Sequence, residues 1–168
     1  MTKNFHANIS GAIIGVFALF CASFNLLASP PDNKGKPVDG SFVVDLPANS
    51  FINCPFDIHI EVIGNTKTTT LPGNRFITNN PNMQAVITNS SNPTKTVSLS
   101  ITGATHQSTN NNGDKVTVAT GRNLMGDPVA GLVLSIGTFS FVFDASGNNL
   151  VQPLMGQGQL IDVCQLIS

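Results

Sequence analysis

The sequence predicts an all-β chain: a single antiparallel β-sandwich, immunoglobulin-like or jelly-roll in type, with about nine or ten strands after an N-terminal signal peptide. Three observations carry this. Short runs with period-two alternation recur along the chain, as in Phe56-Asp57-Ile58-His59-Ile60-Glu61-Val62, where apolar and polar side chains fall on opposite faces of a strand. Turn-forming residues separate these runs at intervals of about 8–12 residues. No stretch after residue 40 has the period of an amphipathic helix.

The chain divides into a signal peptide over 1–28, a linker over 29–40 and a β-sandwich domain over 41–168. Lys3 precedes an apolar run from Gly11 to Phe24, which ends in Asn25-Leu26-Leu27-Ala28. A positive start, a short apolar stretch and a small residue at the end describe an export signal. Cleavage is expected after Ala28, with Ser23 the alternative site. Retention as an anchor is the competing reading, but the run is short of the about 20 apolar residues a membrane helix needs. Cys21 follows the bulky Phe20, which a lipidation signal disfavours, so it is expected to leave with the leader. The mature chain then keeps two cysteines, Cys54 and Cys164, and an oxidising compartment makes a bridge between them the default. Localisation is read as secreted or periplasmic, with no stable membrane insertion once the leader is removed.

Residues 29–40 hold three prolines and a single aliphatic side chain, Val38. Such a segment has little to bury and reads as a flexible linker. Phe42-Val43-Val44 starts the fold, and Pro47 stops that strand. After the strand that follows Cys54, Gly64-Asn65 turns the chain into a Thr-rich strand over 66–71, which Pro72-Gly73 ends. Short strands follow at 75–78 and 83–88, the latter with Met83, Ala85 and Ile87 inward. Another is expected over 96–105, with Val97, Leu99 and Ile101 inward. Asn112-Gly113 is a hairpin signal leading into 115–120, with Val116 and Val118 inward. Gly121–Gly131 loses the alternation and reads as a loop. Strands are expected at 129–136, 139–143, 150–154 and 160–163, broken at Gly137, at the turn 144–148 and at Gly156–Gly158.

Only 10% of the residues are charged, and over 29–168 seven Lys/Arg face nine Asp/Glu. That balance provides no basic footprint for nucleic acid and no polybasic surface for anionic lipid. Eleven Phe are present with neither Trp nor Tyr. The aromatic platforms with a polar edge that suit sugar binding are therefore missing, and Phe139, Phe141 and Phe143 read as core.

Asp57, His59 and Glu61 share one strand face, and His106 lies on another strand; carboxylate and imidazole are metal ligands. Neighbours on a strand face stand about 6.6 Å apart, so a pair could chelate more easily than the trio, and a solvated face is the plainer reading. Ser108–Asp114 has oxygen side chains before a glycine, as in a calcium loop, but Ala119 stands where the closing acid belongs; a hairpin turn explains the same residues. Arg122, Asn123, Leu124, Met125 and Asp127 occupy the irregular segment. They read either as a loop pinned by an Arg122–Asp127 ion pair or as a recognition loop. Asn89-Ser90-Ser91 has the form of a glycosylation acceptor. No serine sits in a nucleophile elbow, no catalytic residues are assigned and no cofactor is implied.

The combination of Gly121-Arg122-Asn123-Leu124, Asp127-Pro128, Ala130-Gly131, Ile136-Gly137, Phe139-Ser140, Phe143-Asp144-Ala145 and Asp162-Val163-Cys164 resembles a group of small uncharacterised secreted bacterial proteins of actinomycete type. The resemblance spans approximately residues 42–168. It implies bacterial origin and export, and it brings no activity or site residues. The function expected is that of an exported, non-enzymatic β-sandwich working through surface contacts with envelope, matrix or host, through a surface protein or glycan partner. The alternative is a ligand-binding or hydrolytic domain whose site gathers around His59 and His106.

Overall fold

The computed structural model describes residues 35–50, 52–127 and 129–168. The expected signal peptide, its cleavage site, Cys21 and the first part of the linker lie outside the described residues. Eleven strands follow: β1 (Val38–Asp39), β2 (Phe42–Leu46), β3 (Ile58–Ile63), β4 (Asn65–Leu71), β5 (Arg75–Asn79), β6 (Gln84–Asn89), β7 (Thr96–Ser100), β8 (Ala104–Thr109), β9 (Lys115–Asp127), β10 (Gly131–Phe143) and β11 (Leu150–Asp162). A single helical turn, α1 (Val163–Leu166), follows β11, with Asp162 as its N-cap accepting from the Gln165 amide at 3.1 Å.

The strands form two antiparallel sheets, as the alternation predicts. A seven-stranded sheet has the order β1-β4-β5-β8-β9-β10-β11, and a four-stranded sheet the order β2-β3-β6-β7. In the small sheet the expected parity holds: Ile58, Ile60, Val62, Ala85, Ile87 and Leu99 are buried, while Asp57 and Glu61 are exposed. Their apolar row packs on Leu124, Leu132 and Leu134 of the large sheet, and Ile52, Cys54, Val163, Cys164 and Ile167 complete the same cluster. A second cluster holds Ala119, Met125, Val133 and Phe141, with Phe143, Leu150 and Leu154 against it.

The Cys54–Cys164 bridge forms, with Cα atoms 5.6 Å apart across a separation of 110 residues. Cys54 precedes β3 and Cys164 lies in α1, so the bridge ties the lead-in to the small sheet to the segment that leaves the last strand of the large one.

Three expectations about the elements are corrected. The linker ends earlier than residue 40: Val38 and Asp39 pair with Thr66 and Asn65, and the Gly40 amide donates to the Gly64 carbonyl at 2.9 Å. In the first half of β9 the buried residues are Thr117 and Ala119, whereas Val116 and Val118 are only half-buried. The segments divided at glycines are continuous. Gly121, Gly137 and Gly158 lie in one row across β9, β10 and β11, with φ of +81°, +142° and +139°. A Cβ on Gly137 would collide with the Gln157 carbonyl oxygen, and one on Gly158 would stand 2.9 Å from the Gly137 Cα. The row thus needs glycine for two reasons, close cross-strand approach and a backbone conformation that other residues rarely adopt.

Candidate functional site

The polar face of the small sheet is a row running Asp45, His59, Thr88 and Thr96 across β2, β3, β6 and β7. His59 Nδ1 meets Asp45 Oδ1 at 2.7 Å, and Thr88 and Thr96 share a hydroxyl hydrogen bond at 3.0 Å. Asp57 is turned to structural use, its Oδ1 accepting from the Ala48 amide at 2.7 Å. His106 lies on β8 of the other sheet, opposite Ile77 and Val118, and is exposed. Among the described residues no three of His, Cys, Asp and Glu are placed to hold a metal ion. His59 and His106, expected to share a site, stand on strands of different sheets. In the Ser108–Asp114 segment the oxygens are spent on the turn. Asn110 Oδ1 accepts from the amides of Asn112 and Asp114, both at 2.9 Å, and Asn110 Nδ2 donates to Asp114 Oδ2 at 3.0 Å.

The recognition loop is also corrected. Arg122, Asn123, Leu124, Met125 and Asp127 belong to β9, and the last four are at most 7% exposed. Alternation fails there because the strand is covered on both faces, so both parities are buried. Arg122 and Asp127 form separate anchors: Arg122 Nε donates to the Ser100 carbonyl at 3.0 Å, and Asp127 Oδ1 accepts from the Val129 and Ala130 amides at 2.8 and 2.7 Å. Asn89 is 6% exposed, so it is no surface acceptor for a glycan. Its Nδ2 donates to the Ile167 carbonyl at 3.1 Å, and its Oδ1 accepts from the Ser91 and Asn92 amides at 3.0 and 3.2 Å.

Among the described residues, what the fold leaves open is the edge of β11. This strand is the last of the large sheet, paired on one side by β10. It is 13 residues long and carries no charge from Leu150 to Ile161. Val151, Met155 and Leu160 are 59%, 57% and 42% exposed, and every residue from 155 to 160 is exposed. Alternate residues of an edge strand direct their N–H and C=O groups away from the sheet, which makes such an edge a template for another strand. The opposite edge of the same sheet is blunted by β1, two residues long. Pro153 lies where two residues of β11, Pro153 and Leu154, oppose Phe141 alone, and it interrupts the edge near its start. Beyond it nothing in the strand's own chemistry protects the edge.

No family model, curated protein or solved structure matches this chain. The site therefore rests on its own geometry. Reading β11 as two short strands hid this edge, since the exposed stretch 155–160 spans the glycines at which the sequence reading divided it. The signal in the sequence was the charge-free run from residue 145 to 161 that follows the Asp144 turn. Among the described residues no helix is long and apolar enough to cross a membrane.

Proposed function

We propose that this chain is an exported bacterial β-sandwich that binds rather than reacts, making contacts at the envelope, in the matrix or with a host through the β11 edge. The export signal read over 1–28 supports work outside the cytoplasm, and the Cys54–Cys164 bridge suits an oxidising compartment. The observation that carries the binding role is the long, uncharged edge with exposed Val151, Met155 and Leu160. An added strand gains main-chain hydrogen bonds along such an edge, and side chains of alternate residues supply selectivity.

Hydrogen exchange tests the reading. In the dilute purified protein the outward amides of β11 are expected to exchange freely. They are expected to become protected when the protein is returned to isolated envelope or extracellular matrix, and the Met155→Lys, Leu160→Lys double variant is expected to lose that protection. Unchanged exchange in both fractions would overturn the proposal.

A further inference from the structure

The middle of β11 reads Leu154-Met155-Gly156-Gln157-Gly158-Gln159-Leu160, which is nearly the same in either direction about Gln157. A strand that pairs antiparallel with its own copy meets itself reversed, so a near-palindrome sets like residues opposite one another. From this juxtaposition we infer that the β11 edge pairs with the β11 edge of a second copy of this chain, about a two-fold axis at Gln157, joining two seven-stranded sheets into one. The inference rests on the proposed reading of β11 as a strand-accepting edge, on which a second copy competes with the envelope or matrix contact.

The register follows from the symmetry. Gln157 faces the partner's Gln157, Gly156 faces the partner's Gly158, and Leu154 faces the partner's Leu160. Residues equidistant from Gln157 have the same parity, so each facing pair projects from one side of the joined sheet, as cross-strand neighbours must. A closed two-fold contact of this kind uses one surface patch on both copies. Charge permits it, because from Leu150 to Ile161 there is no ionised side chain to oppose its own copy. Composition favours it as well. The two glycines flanking the axis present no side chain to the approaching strand, and the central Gln is exposed and able both to donate to and accept from its copy. Pro153, which has no N–H, marks where the paired stretch ends on one side.

Sedimentation of the protein purified from the exported fraction tests this, over concentrations from about 1 μM to 1 mM, the span suited to a small interface. The parent chain is expected to pass from monomer to dimer within it. Gln157→Lys and Gln157→Glu each place like charges face to face at the axis and are expected to remain monomeric, while an equimolar mixture of the two restores the dimer. Gln157 is exposed, so both variants should keep the parent's unfolding midpoint at concentrations where the parent is monomeric. A parent that is monomeric throughout, variants that dimerise as the parent does, or a mixture that fails to associate would each overturn the self-pairing. None of these results bears on protection of the edge by envelope or matrix at dilution, which decides the broader proposal separately.

Discussion

The Asp144 carboxylate gathers most of the side-chain hydrogen bonds in the turn between β10 and β11. It accepts from Ser146 Oγ at 2.7 Å, from Asn149 Nδ2 at 2.6 Å, and from the Asn148 and Asn149 amides at 3.0 and 3.4 Å. The Ser146 hydroxyl first, and then the Asn149 side chain, hold this carboxyl well below the usual carboxylate range. A lowered folded-state value means that the ionised form favours the folded turn. The contribution is fully present above the ordinary value of 3.8 and is lost as pH falls below it, through the lowered folded value. A carboxyl-carbon NMR titration is expected to put the Asp144 midpoint below 3.8. A midpoint at or above that value would contradict the turn geometry. Asn89 shows the same economy in a buried setting, where one amide holds the Ile167 carbonyl and the start of the loop after β6.

At the scale of elements, the glycine row across β9, β10 and β11 is what allows three strands of 13 residues to run unbroken. Gly137→Ala is expected to destabilise the protein by about 3 kcal/mol or more, since backbone strain and a collision with the neighbouring strand add. Gly73 provides the control. Its φ is +79° with nothing within 4 Å of an added Cβ, so Gly73→Ala is expected to cost only the conformational term, about 1–2 kcal/mol. Urea midpoints of the two variants check this, and equal losses would mean that the close approach of β10 and β11 contributes nothing. Phe139 lies over the row's neighbour Gly156, where a Cβ would stand 2.9 Å from its ring edge; the ring covers backbone that the glycine leaves bare.

The whole molecule is closed by its covalent link. Cys54 and Cys164 are buried in the cluster shared by the two sheets, so their bridge holds the small sheet to the end of the large one. Closing a loop of 110 residues restricts the unfolded chain strongly. Replacing both cysteines by Ala is expected to lower stability by about 2–5 kcal/mol, of which the chain-entropy share is at most about 4.7 kcal/mol. Denaturant unfolding of the double variant, and of the parent with and without reductant, measures this. Superimposable curves would show that the packing of the shared cluster holds the sheets together without the bridge.

Much of this architecture was legible without coordinates. The alternation in β3, β6 and β7 assigns their faces because each has one apolar and one polar side, and period two turns that difference into a pattern. The turn residues at 72–73, 112–113 and 144–148 mark chain reversals because their backbone requirements are local, whereas Gly64 carries the chain from the small sheet into the large one. The cysteine pair follows from counting once Cys21 is assigned to the expected leader. The continuity of β9, β10 and β11 was not legible: their glycines read as breaks, and only cross-strand neighbours explain why they are there. The segment 123–127 read as a loop because burial on both faces erases alternation. The grouping of histidines and carboxylates depends on strand order, which is a property of pairing between distant segments and leaves no local trace. For the same reason the free edge of β11, with its near-palindrome, became a candidate site only once the sheet order showed which strand comes last.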